Sequence, residues 1–149
     1  MLQLRLKNHH DRRIRGGHPW VFSNELQEVP ALASGSIVEV LSHRGESFGV
    51  GLYNPKSLIS VRLLNSKIHE LSIDFFIERL QSALALRQRI FSEETSYRLV
   101  FGESDLLPGV VIDRYGDYFS LQLLSAGMDS RIEMIVSALL AVFPATKGI

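Results

Sequence analysis

Two hydrophobic rhythms divide the chain. Over the first 65 residues apolar positions recur every second residue in short runs: LQLRL, PWVF, SIVEVL, ESFGVGLY and ISVRLL. A period of two marks strands with one covered face. Between the first two runs, DRRIRGG reads as one turn of helix stopped by its glycines. HRGE, with Arg44-Gly45, suits a hairpin turn. Strands this short and this closely spaced predict a small barrel or sandwich. From Leu71 the spacing lengthens to three and four. Ile73, Ile77, Leu80 and Leu84, with Phe76 beside them, predict an amphipathic helix to about Phe91 that starts near Ser72 and Asp74. YRLVFG and VVIDRYGDYFSLQLL then return to strands. Gly116-Asp117 forms a two-residue hairpin loop, and Phe119, Leu121 and Leu123 share one face. A second helix, from about Asp129 to Phe143, offers Ile132, Ile135, Val136, Leu139 and Leu140 as the cover for that hairpin. The change of period places a domain boundary near residues 67 to 72.

Composition narrows the function classes. An apolar fraction of 46% over 149 residues is that of an ordinary globular protein. No apolar run approaches the roughly 18 residues a membrane span needs, and the start MLQLRLKNHH carries charge where a signal peptide is apolar. The expectation is a cytoplasmic protein with no membrane partner. There is no cysteine, so disulfides, thiolate zinc sites and a cysteine nucleophile are excluded within these 149 residues. The net charge of zero hides an asymmetry. Up to Lys67 nine basic residues face five acidic ones, a surplus of four positive charges that the remainder cancels. Polyanion binding therefore points to the first half.

The densest chemistry lies in DRRIRGGHPWVFSNEL, residues 11 to 26. Arginine forks grip phosphate with two hydrogen bonds, glycines let backbone approach a ligand, and tryptophan gives a base a face to stack on. The plainer reading is an exposed helical turn with Trp20 and Phe22 in the core. For Trp20 the core is favoured, while the arginines have no evident internal use. Other candidates are weaker. GVGLYNPKS fits neither a dinucleotide fingerprint nor a phosphate loop, because Asn54 and Pro55 stand where glycines are needed; it reads as strand and turn. His9, His10 and Asp11 are consecutive and have no second cluster to complete a metal site. Glu103 and Asp105 read as solvated loop positions ahead of a Pro-Gly turn. No catalytic or metal-binding residue is assigned.

RRIRGGHPWVFSNEL, then GSIVEV, then GVGLYNPKSLISVRLL, resembles the amino-terminal PUA domain of the bacterial and archaeal ribosomal RNA large-subunit cytosine-5 methyltransferases that depend on S-adenosylmethionine. YRLVFGESDLLPGVVIDRYGDYFSLQLL is similar to the central domain of the same enzymes, a strand, strand, helix, strand, strand unit. The resemblance implies an α+β chain with a PUA-like β pseudo-barrel over residues 1–68 and a second small α+β unit over 69–149. It also implies that the second unit loses its last strands near KGI and that a Rossmann-like methyltransferase domain, with the cofactor loop and the attacking cysteine, lies outside this sequence. On that basis the chain alone is inactive, no cofactor binds within it, and S-adenosylmethionine belongs to the missing domain. The partner implied is structured ribosomal RNA. Carried over onto matching positions, the RNA-facing candidates are Arg12, Arg13, Arg15, Gly16, Gly17 and His18, with Tyr53, Asn54 and Lys56 in a second loop. Two alternatives remain open: a non-catalytic RNA-binding or dimerisation module that pairs two copies through an exposed sheet edge, or part of another PUA-bearing RNA modification enzyme.

Overall fold

Alternating residues of the first half form five strands in one sheet. β1 (Leu2–Arg5) runs parallel to β3 (Ile37–Leu41), and β3, β4 (Ser47–Tyr53), β5 (Ile59–Asn65) and β2 (Trp20–Phe22) follow antiparallel, in the order β1-β3-β4-β5-β2. The chain leaves β2 through a 3-10 turn, Ser23–Glu25, and returns to the far side of β1. There the Lys7 amide donates to the Glu25 carbonyl (2.8 Å), the Gln27 amide donates to the Arg5 carbonyl (2.8 Å), and Leu6 bridges to Leu26. The sheet thus curls until its ends meet, which is how a small sheet satisfies both edges. The enclosed face carries Leu4, Leu6, Val21, Val38, Val40 and Val61, all essentially inaccessible. Ile14, from the single turn α1 (Arg12–Arg15), plugs one end.

The computed structural model describes residues 1–65 and 71–149, and the chain divides into two compact units, Met1–Glu70 and Leu71–Ile149. The boundary expected between 68 and 69 lies outside the described residues.

Register corrects one expectation in the first unit. Val21 opposes Val61 and points inward, so its neighbour Trp20, opposite Arg62, stands on the outer face and is only half-buried. A strand cannot send adjacent side chains to one face, so parity overrides the preference of a large aromatic for the core.

In the second unit α2 (Ile73–Ile90) begins where the Ser72 hydroxyl accepts a hydrogen bond from the Phe75 amide (3.3 Å), satisfying one of the four orphan donors of the first turn. β6 (Ser96–Phe101), β7 (Val110–Tyr115) and β8 (Tyr118–Leu123) form an antiparallel meander, with Gly116-Asp117 at the β7–β8 hairpin. α3 (Ala126–Asp129) and α4 (Ile132–Val142) follow. Three strands therefore stand between α2 and the later helices, where the resemblance implied two strands before a helix. The result is a mixed α+β chain with two sheets and four helices among the described residues.

The helices bury stripes offset from those expected. α2 buries Phe75, Phe76, Leu80 and Ala83, while Ile73 is exposed and Leu84 only partly covered. α4 buries Ile135, Ala138 and Leu139 and leaves Ile132 and Leu140 exposed. The reason is that α4 packs chiefly against α2, and small alanines let two helices approach. Alanine carries too weak a hydrophobic signal to mark that stripe in advance.

At KGI, where an open sheet edge is expected, the first residues of β8 are covered. Gly148 bridges Tyr118 in parallel, the Phe119 amide donates to the Gly148 carbonyl (3.0 Å), and Lys147 pairs with Asp117 at 2.9 Å. Residues 147 and 148 thus cover part of β8. Nor is Asp105 a solvated loop carboxylate: its side chain is 3% exposed and is gripped by Arg87. Among the described residues no helix is long and apolar enough to cross a membrane.

Candidate nucleic-acid interface

α1 is too short to be stable alone. It is held by its stop signal and by its arginines. Gly17 takes a left-handed conformation (φ 87°) that nothing crowds, the Gly17 amide donates to the Ile14 carbonyl (2.9 Å) and the His18 amide to the Arg13 carbonyl (3.0 Å). This is the double hydrogen-bonded helix stop that favours glycine. It consumes the amides of residues 16 to 18, since the Gly16 amide also donates to the Arg12 carbonyl (3.1 Å). The glycines serve the turn, and their amides are not free to donate to a ligand.

The three arginines have separate duties. Arg13 donates to Glu25 (2.8 Å), whose other oxygen accepts the Phe22 amide (2.8 Å), and its guanidinium lies 4.5 Å from the Phe22 ring centre. Glu25 is itself buried, so Arg13 supplies the partner charge that a buried carboxylate requires. Arg15 bonds Asp11 (2.8 Å) and Glu46 and packs over Phe48, tying α1 to the β3–β4 hairpin. Its hydrogen bonds hold the carboxyls of Asp11 and Glu46 below their usual range and raise its own pKa further. The expectation that the arginines lack internal use is therefore corrected for Arg13 and Arg15. Arg12 differs. It is exposed, and its guanidinium has no partner among the described residues.

Beside this turn His18, just before β2, and Trp20 and Phe22 on its outer face follow one another in alternation. His18 and Trp20 meet edge to face at 5.4 Å, Trp20 and Phe22 at 6.5 Å. The His18 Nδ1 accepts the Trp20 amide (3.2 Å), which places the ring proton on Nε2 in the neutral imidazole. The result is a half-buried aromatic strip with Arg13 at one end and the free Arg12 nearby in sequence.

The second loop divides. Tyr53 is 7% exposed and packs in the barrel core, so it presents no face to a ligand; β4 parity places it opposite Val61. Asn54 turns the chain, its side-chain oxygen accepting the Lys56 amide (3.0 Å) and the Ser34 hydroxyl (3.3 Å). Lys56 is exposed with no side-chain partner among the described residues. The Leu58 carbonyl accepts the Ser23 amide (2.9 Å), and Phe22 is in register with Ile59, so this loop adjoins the Phe22 end of the strip.

One group was not singled out for RNA. His9, Ser42, His43 and Arg44 line a pocket of about 260 Å³ beside Arg15 and Asp11. The parallel pairing of β1 with β3 brings these two loops together across more than 30 residues of sequence, and nothing local signals that.

Residues 4–66 match the model of the PUA-like domain. The chain also resembles ribosomal RNA large subunit methyltransferase I from several bacteria. It is 40% identical to that of Aliivibrio fischeri over 138 residues, covering 90% of this chain and 35% of that protein. It is 38% identical to that of Shewanella denitrificans over 148 residues, covering 96% and 37%. The chain thus spans about a third of the length of the curated relatives it matches. A proposed SAM-dependent methyltransferase from Streptococcus mutans superposes with a TM-score of 0.84 at 23% identity, over 98% of this chain and 39% of that one. At that identity the superposition speaks for the fold. A second solved structure, a proposed methyltransferase complexed with SAH, gives 0.84 at 22%, over 98% of this chain and 38% of that one.

Proposed function

We propose that this chain is the RNA-docking portion of a ribosomal RNA methyltransferase, and that methyl transfer to carbon 5 of a cytosine, from S-adenosylmethionine, is performed by polypeptide beyond these residues. The observation that carries the reading is the PUA-like unit's outer strip, His18, Trp20 and Phe22, in a unit that also exposes two cations, Arg12 and Lys56, that no carboxylate among the described residues neutralises. Free cations hold phosphates, and aromatic edges and faces meet splayed bases or sugar surfaces, which suits a folded RNA read by shape. The names of the relatives support ribosomal RNA as the partner.

S-adenosylmethionine does not fit the G-x-G stretch of β4. Gly49 and Gly51 lie within β4, where a side chain on Gly51 would strike the Arg62 carbonyl at 2.5 Å, so that pair is strand packing and not a phosphate cradle. No step of the transfer is assigned to these residues.

Affinity for a folded fragment of large-subunit ribosomal RNA is expected to fall with salt by about 0.7 to 0.9 decades per decade for each phosphate held. Arg12→Ala removes roughly one contact from that slope and leaves the unfolding midpoint unchanged. Arg13→Ala does the reverse: it strands the Glu25 carboxylate and costs about 1–3 kcal/mol of stability. Titration at several salt concentrations beside thermal melts checks both, and an unaltered slope for Arg12→Ala moves the docking face elsewhere.

A further inference from the structure

The second unit holds an open aromatic slot of about 530 Å³, formed where the end of α2 meets β6. Phe91 and Tyr97 stack almost parallel at 6.0 Å, and the guanidinium of Arg98 lies 5.2 Å from the ring centre of Phe101. Phe91 and Phe101 are 41% and 53% exposed, unusual for rings of this size unless something covers them.

The walls are fixed in advance. Arg114 donates to the Tyr97 hydroxyl (3.0 Å), Arg98 is held by both oxygens of Asp113 (2.8 and 3.1 Å), and Arg87 by both oxygens of Asp105 (2.7 and 2.6 Å). Core packing asks for no such bracing of rings that stay in solvent, whereas a binding slot gains affinity from it. The charges decide the occupant. Both arginines of the slot are already matched by carboxylates, and Glu94 adds a negative group, so a phosphate finds no surplus positive charge there. Flat rings and a stacked guanidinium favour an uncharged planar group.

We propose that this slot takes one unpaired base of single-stranded RNA, stacked against Phe101 and the Phe91–Tyr97 pair. It rests on the reading of the chain as an RNA-docking module and extends it to the second unit, with phosphates gripped by the first.

The test titrates the full chain with a single-stranded oligocytidylate and follows backbone amide resonances. Shifts are expected in residues 91–101, and Phe101→Ala weakens binding roughly tenfold with resonances elsewhere unchanged. Phe101→Leu, which keeps apolar bulk but not the ring, loses a similar factor. Full affinity for Phe101→Leu, or equal binding of a blunt duplex through the same residues, overturns the proposal. Binding of folded ribosomal RNA with no response at residues 91–101 also overturns it and leaves the docking function standing. Failure of the chain to bind any RNA removes both.

Discussion

Replacing Asp105 with alanine is expected to destabilise the second unit by about 3–5 kcal/mol, among the largest losses any single polar substitution in this chain produces. Asp105 accepts two bonds from Arg87 and a third from the Phe101 amide (2.6 Å), while Arg87 also donates to the Arg98 carbonyl (3.0 Å). The side chains are 3% and 12% exposed. Removing one partner leaves the other charge buried without compensation and frees the end of α2 from β6. For a unit of this size the unfolding midpoint drops by on the order of 10 °C or more. Asp113→Ala is the control. Its partner Arg98 is half exposed and solvent screens the pair, so the loss is small beside that of Asp105→Ala. Melting curves of the two variants check the contrast, and equal small losses would show that the Arg87–Asp105 pair is solvated.

Gly51→Val is the second large effect. β4 pairs on both sides, and at Gly51 the register with β5 shifts, drawing the β5 backbone against its Cα. A Cβ there stands 2.5 Å from the Arg62 carbonyl and 2.6 Å from the Val61 methyl, and the first of these is backbone that cannot swing away. Overpacking of this kind costs about 1–3 kcal/mol or more, and the branched side chain adds to it. The expected outcome is a chain whose PUA-like unit loses its cooperative unfolding transition by circular dichroism. Gly17→Ala makes a milder comparison: nothing lies within 4 Å, and the cost is confined to the left-handed backbone, about 1–2 kcal/mol. A Gly51→Val protein as stable as Gly17→Ala would contradict the close approach.

How far the fold was legible depended on whether the signal was local. The turn of α1 with its glycine stop, the strand at PWVF and the hairpin at Gly116-Asp117 follow from neighbouring residues, and they formed as the pattern implied. What failed needed partners from far along the chain. Arg13 finds Glu25 through the 3-10 turn after β2, and Arg15 finds Glu46, 31 residues on, through the β3–β4 hairpin. Arg87 finds Asp105 across the α2–β6 connection. Counting charges could not show which arginines those carboxylates would claim, nor that Arg12 of the α1 turn would be left. The inward stripes of α2 and α4 slipped by a position because Ala83 and Ala138 set the helix contact, and Tyr53 was lost to the core because the parity of β4 puts it opposite Val61. The strip of His18, Trp20 and Phe22 on the outer face follows from the inward turn of Val21, a parity visible only once the register is known.

Ultraviolet cross-linking of the full chain to a folded fragment of large-subunit ribosomal RNA, with the attached peptides mapped by mass spectrometry, puts the RNA-docking role to its sharpest trial. The first unit should be marked within residues 12–22 and 54–58, with yield falling as salt rises. Adducts that avoid both segments, or whose yield ignores salt, contradict it.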